Sequence, residues 1–136
     1  MNEFLLDANA LVRFLVQDDP RQSAAATALL EKAERREVVL MLEAMVVAEV
    51  VYVLLGRYGR SRGEVAGVLL SIIQNAGVET LERDVITDAL QRFAAVNVDF
   101  SDAWMAARAA QLGHAVASFD RDFDKFKDIR RFEPKT

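Results

Sequence analysis

Residues 4–15 read FLLDANALVRFL, and the chain changes character at the aspartate in position 7. The apolar run before Asp7 is typical of a buried strand, because a strand covered on both faces needs no polar alternation. The segment after it, ANALVRFLVQ, predicts a short helix. The stretch therefore predicts a strand that leads directly into a helix, with a carboxylate at the junction.

The same alternation continues along the chain. Further strands are predicted from short apolar or β-branched runs at residues 38–41, 77–81 and 114–119, with a small edge strand near IRRFEP. Helices are predicted between them, with Pro20 in a first turn, Ser61 as an N-cap and Gly113 as a stop signal. Strands that alternate with helices predict an α/β fold with a mainly parallel sheet.

Composition indicates a globular chain. Its 136 residues fit one domain of ordinary size, and 52% of them are hydrophobic, which is enough for a core. No repeat or linker-like tract is visible, so a single domain over residues 1–136 is predicted. The absence of cysteine excludes disulfides, thiolate metal sites and cysteine nucleophiles, and it suits the reducing cytoplasm.

Charge and hydropathy limit the partners. The net charge of −4 argues against coating nucleic acid through bulk positive charge, although a local basic rim is compatible with it. The single histidine, His114, excludes a histidine dyad or a multi-histidine metal site. No membrane span is predicted, because residues 38–55 contain Glu43 and Glu49. No signal peptide is predicted either, since no basic segment precedes the first apolar run.

Three aspartates occupy positions where α/β folds place functional groups, and a glutamate within a predicted helix could reach them. Asp7 and Asp120 follow predicted strands, and Asp102 opens a helix. Glu49 lies within the apolar helix AMVVAEVVYVLL, where we expect it to be buried. Because functional groups gather at the carboxyl ends of strands, these carboxylates are predicted to converge. The plain alternatives are helix caps for the aspartates and a buried ion pair, for example with Arg13, for the glutamate.

Converging carboxylates suggest a cation. Such groups repel each other, and some stay protonated unless a cation neutralises them. Ligand sets made only of carboxylate oxygens suit Mg²⁺ or Mn²⁺. An ion of this kind activates water and stabilises the transition state of a phosphodiester, so metal-activated water is the natural nucleophile for this chain.

The order of these motifs resembles that of PIN-domain ribonucleases, and most of all the VapC-type toxins of toxin–antitoxin pairs. The blocks that carry the resemblance are LLDANALVRFLV with Asp7 and Asn9, EAMVVAEVVYVL with Glu49, VDFSDAWMAA with Asp99 and Asp102, and ASFDRDFDKF with Ser118 and Asp120. The blocks run from residue 4 to residue 126 in the family's order.

The resemblance implies a three-layer α/β/α sandwich with a mainly parallel sheet of about five strands. It implies an Mg²⁺- or Mn²⁺-dependent endoribonuclease that hydrolyses tRNA or another structured RNA with a metal-activated water. The catalytic and metal-binding residues that it implies are Asp7, Glu49, Asp102 and Asp120. It also implies a homodimer and a cognate antitoxin protein as partner.

Further residues are predicted to support this site. Asn9 is predicted to orient Asp7 or to bond a metal-bound water, with a plain helix-start role as the alternative. Ser118 keeps the hydroxyl that the family commonly has there as threonine. Asp122 is predicted to support Asp120, although the sequence DRDFD leaves open whether Asp120, Asp122 or Asp124 is the fourth acid of the site.

Three arginines, Arg57, Arg60 and Arg62, lie near a glycine-flanked turn. They are predicted to contact RNA phosphates, with an ordinary solvated loop as the alternative.

Two other classes of function compete with the ribonuclease. LDANAL resembles the nucleophile motif of haloacid-dehalogenase-like phosphatases, but that chemistry requires a second aspartate where Asn9 stands and a later lysine that is not evident. A receiver-like switch would also require a lysine after the last strands, and ASFDRDF has none. A PIN domain kept only as a binding module would usually have lost one of the acids, and none is missing.

Overall fold

The structure, a computed structural model, describes residues 2–136. The chain divides into two compact units, an N-terminal unit that ends at Leu81 and a C-terminal unit that begins at Glu82. Strands alternate with helices along the chain and every strand pair is parallel, which confirms the predicted α/β class.

Within residues 2–81, the N-terminal unit has a parallel sheet in the order β1-β2-β3. Its elements in chain order are β1 Asn2–Leu5, α1 Ala8–Val16, α2 Pro20–Glu34, β2 Val38–Met41, α3 Ala44–Gly56, α4 Arg62–Ile73 and β3 Val78–Glu79. Phe4 lies opposite Leu40, and Leu40 lies opposite Val78. The carboxyl ends of the three strands therefore lie at one edge, as parallel pairing requires.

Local sequence explains where these helices begin. The Asp19 side chain accepts a hydrogen bond from the Gln22 amide, and Pro20 occupies the first turn of α2. The Ser61 hydroxyl accepts one from the Glu64 amide at 3.2 Å. The predicted roles of Pro20 and Ser61 are confirmed. Ser61 accepts a hydrogen bond from an amide that has no partner within the helix, and Pro20 has no amide N–H that would need one.

The first strand differs from its prediction. All four residues of β1 are exposed, and Leu5 is 75% exposed. β1 is an edge strand of the three-stranded sheet, with β2 on one side. The core of the unit lies under β2 instead, where Leu40 and Leu42 are fully buried.

The C-terminal unit is built on two helices that pack against each other. Its elements are α5 Arg83–Ala95, α6 Phe100–Leu112, β4 Val116–Ala117, a 3-10 helix Arg121–Lys125 and β5 Arg131–Phe132. Phe93 and Phe100 meet edge to face with ring centroids 5.9 Å apart. α6 ends at Gly113 in the left-handed conformation, as predicted.

A small core supports the last part of this unit, formed by Ala109, Val116, Phe123 and Ile129. β4 and β5 pair in parallel above it, with Val116 opposite Arg131. β4 is shorter than the predicted strand at 114–119, and the 3-10 helix after it was not predicted.

The five strands are assigned to one three-stranded and one two-stranded parallel sheet. A single sheet in a three-layer sandwich therefore remains a prediction. Across residues 2–136, no helix combines the length and the apolar character that a membrane crossing requires.

Candidate metal centre

The turn that follows β4 positions two aspartates. The Ser118 hydroxyl accepts a hydrogen bond from the Asp120 amide at 2.9 Å, and Asp120 Oδ1 accepts one from the Asp122 amide at 2.8 Å. These bonds satisfy the free amides at the start of the 3-10 helix. Ser118 thus positions the backbone of Asp120, and its role beside a bound metal stays a prediction.

A third carboxylate reaches the same place from α6. Asp102 lies in the first turn of that helix, and Asp99 is its N-cap residue. One carboxylate oxygen from each of Asp102, Asp120 and Asp122 lies within 4.8 Å of the other two. Asp102 and Asp122 are half-buried and Asp120 is exposed, so the cluster opens to solvent on one side.

The electrostatics of this cluster favour a bound cation. Partial burial raises the pKa of Asp102, and the negative charges of Asp120, Asp99 and Asp122 raise it further. The Lys125 ammonium lies 3.0 Å from Asp122 Oδ1 and offsets one of the charges. The remaining negative charge lies on carboxylate oxygens. These are the ligand atoms that Mg²⁺ and Mn²⁺ prefer.

The structure gives the acids of DRDFD different surroundings. Asp124 lies outside the cluster, because Arg131 binds both of its oxygens at 3.1 and 3.2 Å. This interaction lowers the pKa of Asp124. Arg131 also donates to the Ser118 carbonyl at 3.1 Å, so the ion pair helps to hold the turn that carries Asp120.

Asp7 and Asn9 lie in the N-terminal unit, at the start of α1. Asp7 is the N-cap residue, and its Oδ2 accepts a hydrogen bond from the Asn9 amide at 3.3 Å. The cap interpretation of Asp7 is therefore confirmed, as is the helix-start position of Asn9. Both residues are exposed, so the Asp7 carboxylate is accessible at the carboxyl end of β1.

The expectation that Glu49 is buried is wrong. Its side chain is exposed, on the same face of α3 as Met45 and Tyr52. An apolar helix does not bury every face, and the buried face of α3 is formed by Val47, Val50, Val51 and Leu54.

The alternative partner proposed for Glu49 is engaged elsewhere. Arg13 donates to Asp18 at 2.6 Å and to the Tyr58 hydroxyl at 3.0 Å. The buried pair between Glu49 and Arg13 is thereby excluded, and the carboxylate of Glu49 is left accessible on α3.

The three arginines predicted to bind RNA have different surroundings. Arg57 is exposed and lies over the Tyr58 ring, 5.6 Å from its centroid. Arg60 is exposed and lies 3.9 Å from Glu64. Arg62 is half-buried at the start of α4. Arg57 and Arg60 are thus accessible to a ligand, and their binding to RNA stays a prediction.

The sequence did not predict the interactions of Arg92 that connect α5 to the end of the chain. Arg92 bonds Asp88 at 3.1 Å one turn away, and its Nη1 bonds Asp128 at 2.8 Å. Its guanidinium also lies over the Phe126 ring, 5.5 Å from the centroid. The spacing of Asp88 and Arg92 could have suggested the helical pair. Nothing in the sequence indicates Asp128, which is brought near only by the fold.

Replacing Arg92 by methionine is expected to destabilise the protein by about 1–3 kcal/mol, because the charged hydrogen bonds of a half-buried guanidinium are removed. The destabilisation should shrink in acid. The hydrogen bond from Arg92 lowers the pKa of Asp128 below its ordinary value of 3.8. The stabilisation is therefore present above that value and disappears as the pH falls through the folded-state pKa. Urea denaturation at neutral pH and in acid measures both effects.

The control for this substitution is Arg35→Met, which breaks an ion pair with Glu37 between two exposed side chains. Such pairs contribute at most about 1 kcal/mol. Equal effects of the two substitutions would contradict a special role for Arg92.

The chain matches the family model for the PIN domain over residues 4–129, a range that extends through both units. It belongs to the PIN domain family. PIN domains are usually metal-dependent nucleases that bind divalent ions, and the three-aspartate cluster suits such an ion. The match argues against the phosphatase and receiver alternatives. A comparison with curated proteins found no match.

Proposed function

We propose that the protein is a divalent-metal-dependent endoribonuclease, the toxin of a VapC-type toxin–antitoxin pair. The observation that supports this most is the cluster of Asp102, Asp120 and Asp122 in a chain of the PIN family. The substrate class is RNA, with tRNA or another structured RNA as the target, and the reaction is hydrolysis of a phosphodiester bond.

Asp102, Asp120 and Asp122 would hold Mg²⁺ or Mn²⁺, and we include Asp7 and Glu49 in the same site. Asp7 follows β1 and Asp120 follows β4. One sheet of about five strands, within a three-layer sandwich, would bring these two strand ends to a common edge. The exposure of the Asp7 and Glu49 carboxylates is compatible with this role, because neither is used in an internal ion pair of the described residues.

The chain's own residues prepare the site in three ways. The raised pKa of Asp102 shows that its negative charge is poorly compensated in the protein alone. Ser118 and Asp120 stabilise the turn through hydrogen bonds that they accept from backbone amides. Lys125 anchors Asp122 and also donates to the Asn97 carbonyl at 3.0 Å. A bound divalent ion supplies positive charge that stabilises the phosphodiester transition state and activates water.

The exposed Arg57 and Arg60 would bind RNA phosphates, together with Arg62. A homodimer and a cognate antitoxin complete the proposed system, and we place it in the cytoplasm. Expression of the chain alone should arrest growth, and co-expression of the product of a neighbouring small gene should relieve the arrest. Normal growth at a confirmed high level of the protein would contradict the toxin role.

Replacing Asp7 by asparagine is expected to reduce RNA cleavage in Mn²⁺ at least about a thousandfold, because a charged metal ligand supplies several kcal/mol of transition-state stabilisation. Asparagine still accepts the hydrogen bond of an N-cap, so α1 should remain intact. Cleavage of a tRNA pool measures the effect, and circular dichroism reports the fold.

The matched control is Asp19→Asn, which changes the N-cap of α2 in the same unit. This variant should cut RNA as the wild type does. Normal cleavage by the Asp7 variant would overturn the proposed site.

A further inference from the structure

A cavity in the C-terminal unit lies beside β5 and is not used by the metal centre. Its volume is about 580 Å³, and its lining includes Lys127, Arg130 and Phe132. Phe132 is 56% exposed, although it lies in a strand. Its partner across the strand pair is Ala117, which is small and also exposed. A large aromatic ring therefore stands beside a small side chain on an open face of the sheet.

The cations of this cavity are available to a ligand. Lys127 and Arg130 are exposed, and neither forms an ion pair within residues 2–136. Their sequence neighbours differ, because Lys125 is bound to Asp122 and Arg131 to Asp124. Two exposed cations without an ion pair thus lie next to the exposed ring, and the acid in the cavity lining, Asp124, is paired with Arg131.

Two hydrogen bonds connect the cavity to the metal centre. The Ser118 amide donates to the Phe132 carbonyl at 3.0 Å, and the Ser118 hydroxyl accepts from the Asp120 amide at 2.9 Å. Phe119, the residue before Asp120, is 71% exposed. The strand that carries Phe132 is therefore hydrogen-bonded to the turn that carries the cluster's aspartates.

An exposed aromatic ring flanked by exposed cations is the combination that binds single-stranded nucleic acid, through base stacking and phosphate binding. We propose that the cavity binds an unpaired nucleotide of the RNA, with its base stacked on Phe132 and its flanking phosphates at Lys127 and Arg130. The inference rests on the proposed function. It deepens that function because it assigns a cavity of the C-terminal unit, with Phe132, Lys127 and Arg130, to binding the RNA.

This inference is tested by measuring RNA binding under conditions that prevent cleavage. The probe is a fluorescently labelled single-stranded RNA oligonucleotide of mixed sequence, titrated in EDTA and followed by anisotropy. Phe132→Leu should weaken binding at least about fivefold, since one base no longer stacks on a ring, and Phe132→Trp should retain it. The control is Leu112→Ala, which removes an exposed apolar side chain of α6 in the same unit.

Salt dependence tests the cations. The double substitution Lys127→Ala and Arg130→Ala should lower the slope of log K against log salt by about 0.7 for each RNA phosphate that the variant leaves without a cation. Lys32→Ala, which changes an exposed lysine of α2, should leave the slope unchanged.

The outcomes separate this inference from the proposed function. Wild-type affinity in the Phe132→Leu variant would overturn the inference, and so would an equal weakening in Leu112→Ala. A poly-glutamate peptide that bound with the same dependence on Phe132, in place of RNA, would assign the cavity to a protein partner and overturn it as well. RNA binding that depends on Phe132, without cleavage in Mn²⁺, would refute the proposed nuclease activity. It would still support RNA as the ligand of the cavity.

Discussion

Asp102→Asn is expected to abolish RNA cleavage and, in the absence of metal, to make the protein more stable. The loss of activity should be at least about a thousandfold, because one of the three clustered carboxylates is removed. The gain in stability has a separate cause. Asparagine has nearly the shape of aspartate and carries no charge, so it relieves the repulsion from Asp120, Asp99 and Asp122 and avoids the cost of a partly buried charge.

The raised pKa of Asp102 also determines how the stability difference between the two proteins changes with pH. The pKa of Asp102 is raised above its ordinary value of 3.8, so the folded protein holds this proton more tightly than the unfolded chain does. Its contribution to stability therefore falls as the pH rises from 3.8 through the folded-state pKa, and the full penalty applies above it. The advantage of the variant should be absent in acid and complete at neutral pH.

Adding Mn²⁺ should make the wild type more stable than the Asp102→Asn variant. A ligand that binds only the folded state adds about 2.7 kcal/mol at a hundredfold excess over its Kd, and this gain should largely disappear in the variant. Melting curves with EDTA and with Mn²⁺ measure the reversal. Asp84→Asn is the control, because Asp84 is an exposed acid in the first turn of α5. A variant at Asp102 that was less stable than the wild type in EDTA would contradict the repulsion.

The order of the strands and helices was predictable because local sequence determines where most of them begin and end. β2 was predicted at the residues it occupies, since VVLM is short and apolar and begins with two β-branched valines. Pro20, Ser61 and Gly113 act within one turn of their helix ends, so their effect does not depend on distant parts of the chain. The 3-10 helix escaped prediction because a single tight turn has no period that a short sequence could reveal.

The site was predictable in its residue types and less so in its geometry. Asp102 and Asp120 were identified from their positions after predicted strands and at a helix start, and the structure clusters them. Asp122 and Asp124 could not be told apart, because the difference is made by Arg131. The burial expected for Glu49 was inferred from its neighbours along α3, whereas exposure is decided by which face of the helix packs.

Gly77→Ala is expected to be the most damaging replacement of a glycine by alanine in the N-terminal unit. A Cβ atom at this position would lie 2.2 Å from the Ala33 carbonyl oxygen and 2.7 Å from the Ala33 Cα, both backbone atoms of α2. Neither atom can move away without shifting the helix. Overfilling a packed core typically costs about 1–3 kcal/mol and occasionally more, and a clash with backbone belongs at the upper end.

The surroundings of Gly77 leave little room for relaxation. Its carbonyl accepts a hydrogen bond from the Leu40 amide at 2.8 Å, and its amide donates to Asn75 Oδ1 at 2.9 Å. The Asn75 side chain donates in turn to the Leu30 carbonyl at 3.0 Å. Movement of Gly77 away from α2 would therefore break the pairing with β2 and the link to α2 together.

Gly67→Ala is the matched control, and its effect should have the opposite sign. Gly67 lies within α4, and a Cβ atom there would meet nothing within 4 Å. Alanine is favoured over glycine by about 1 kcal/mol inside a helix, so this variant should be more stable than the wild type. Urea denaturation should show the Gly77 variant at least about 3 kcal/mol less stable, because a backbone clash that the hydrogen bonds hold in place has no small adjustment that relieves it. Equal stability of the two variants would mean that α2 does not approach β3 this closely.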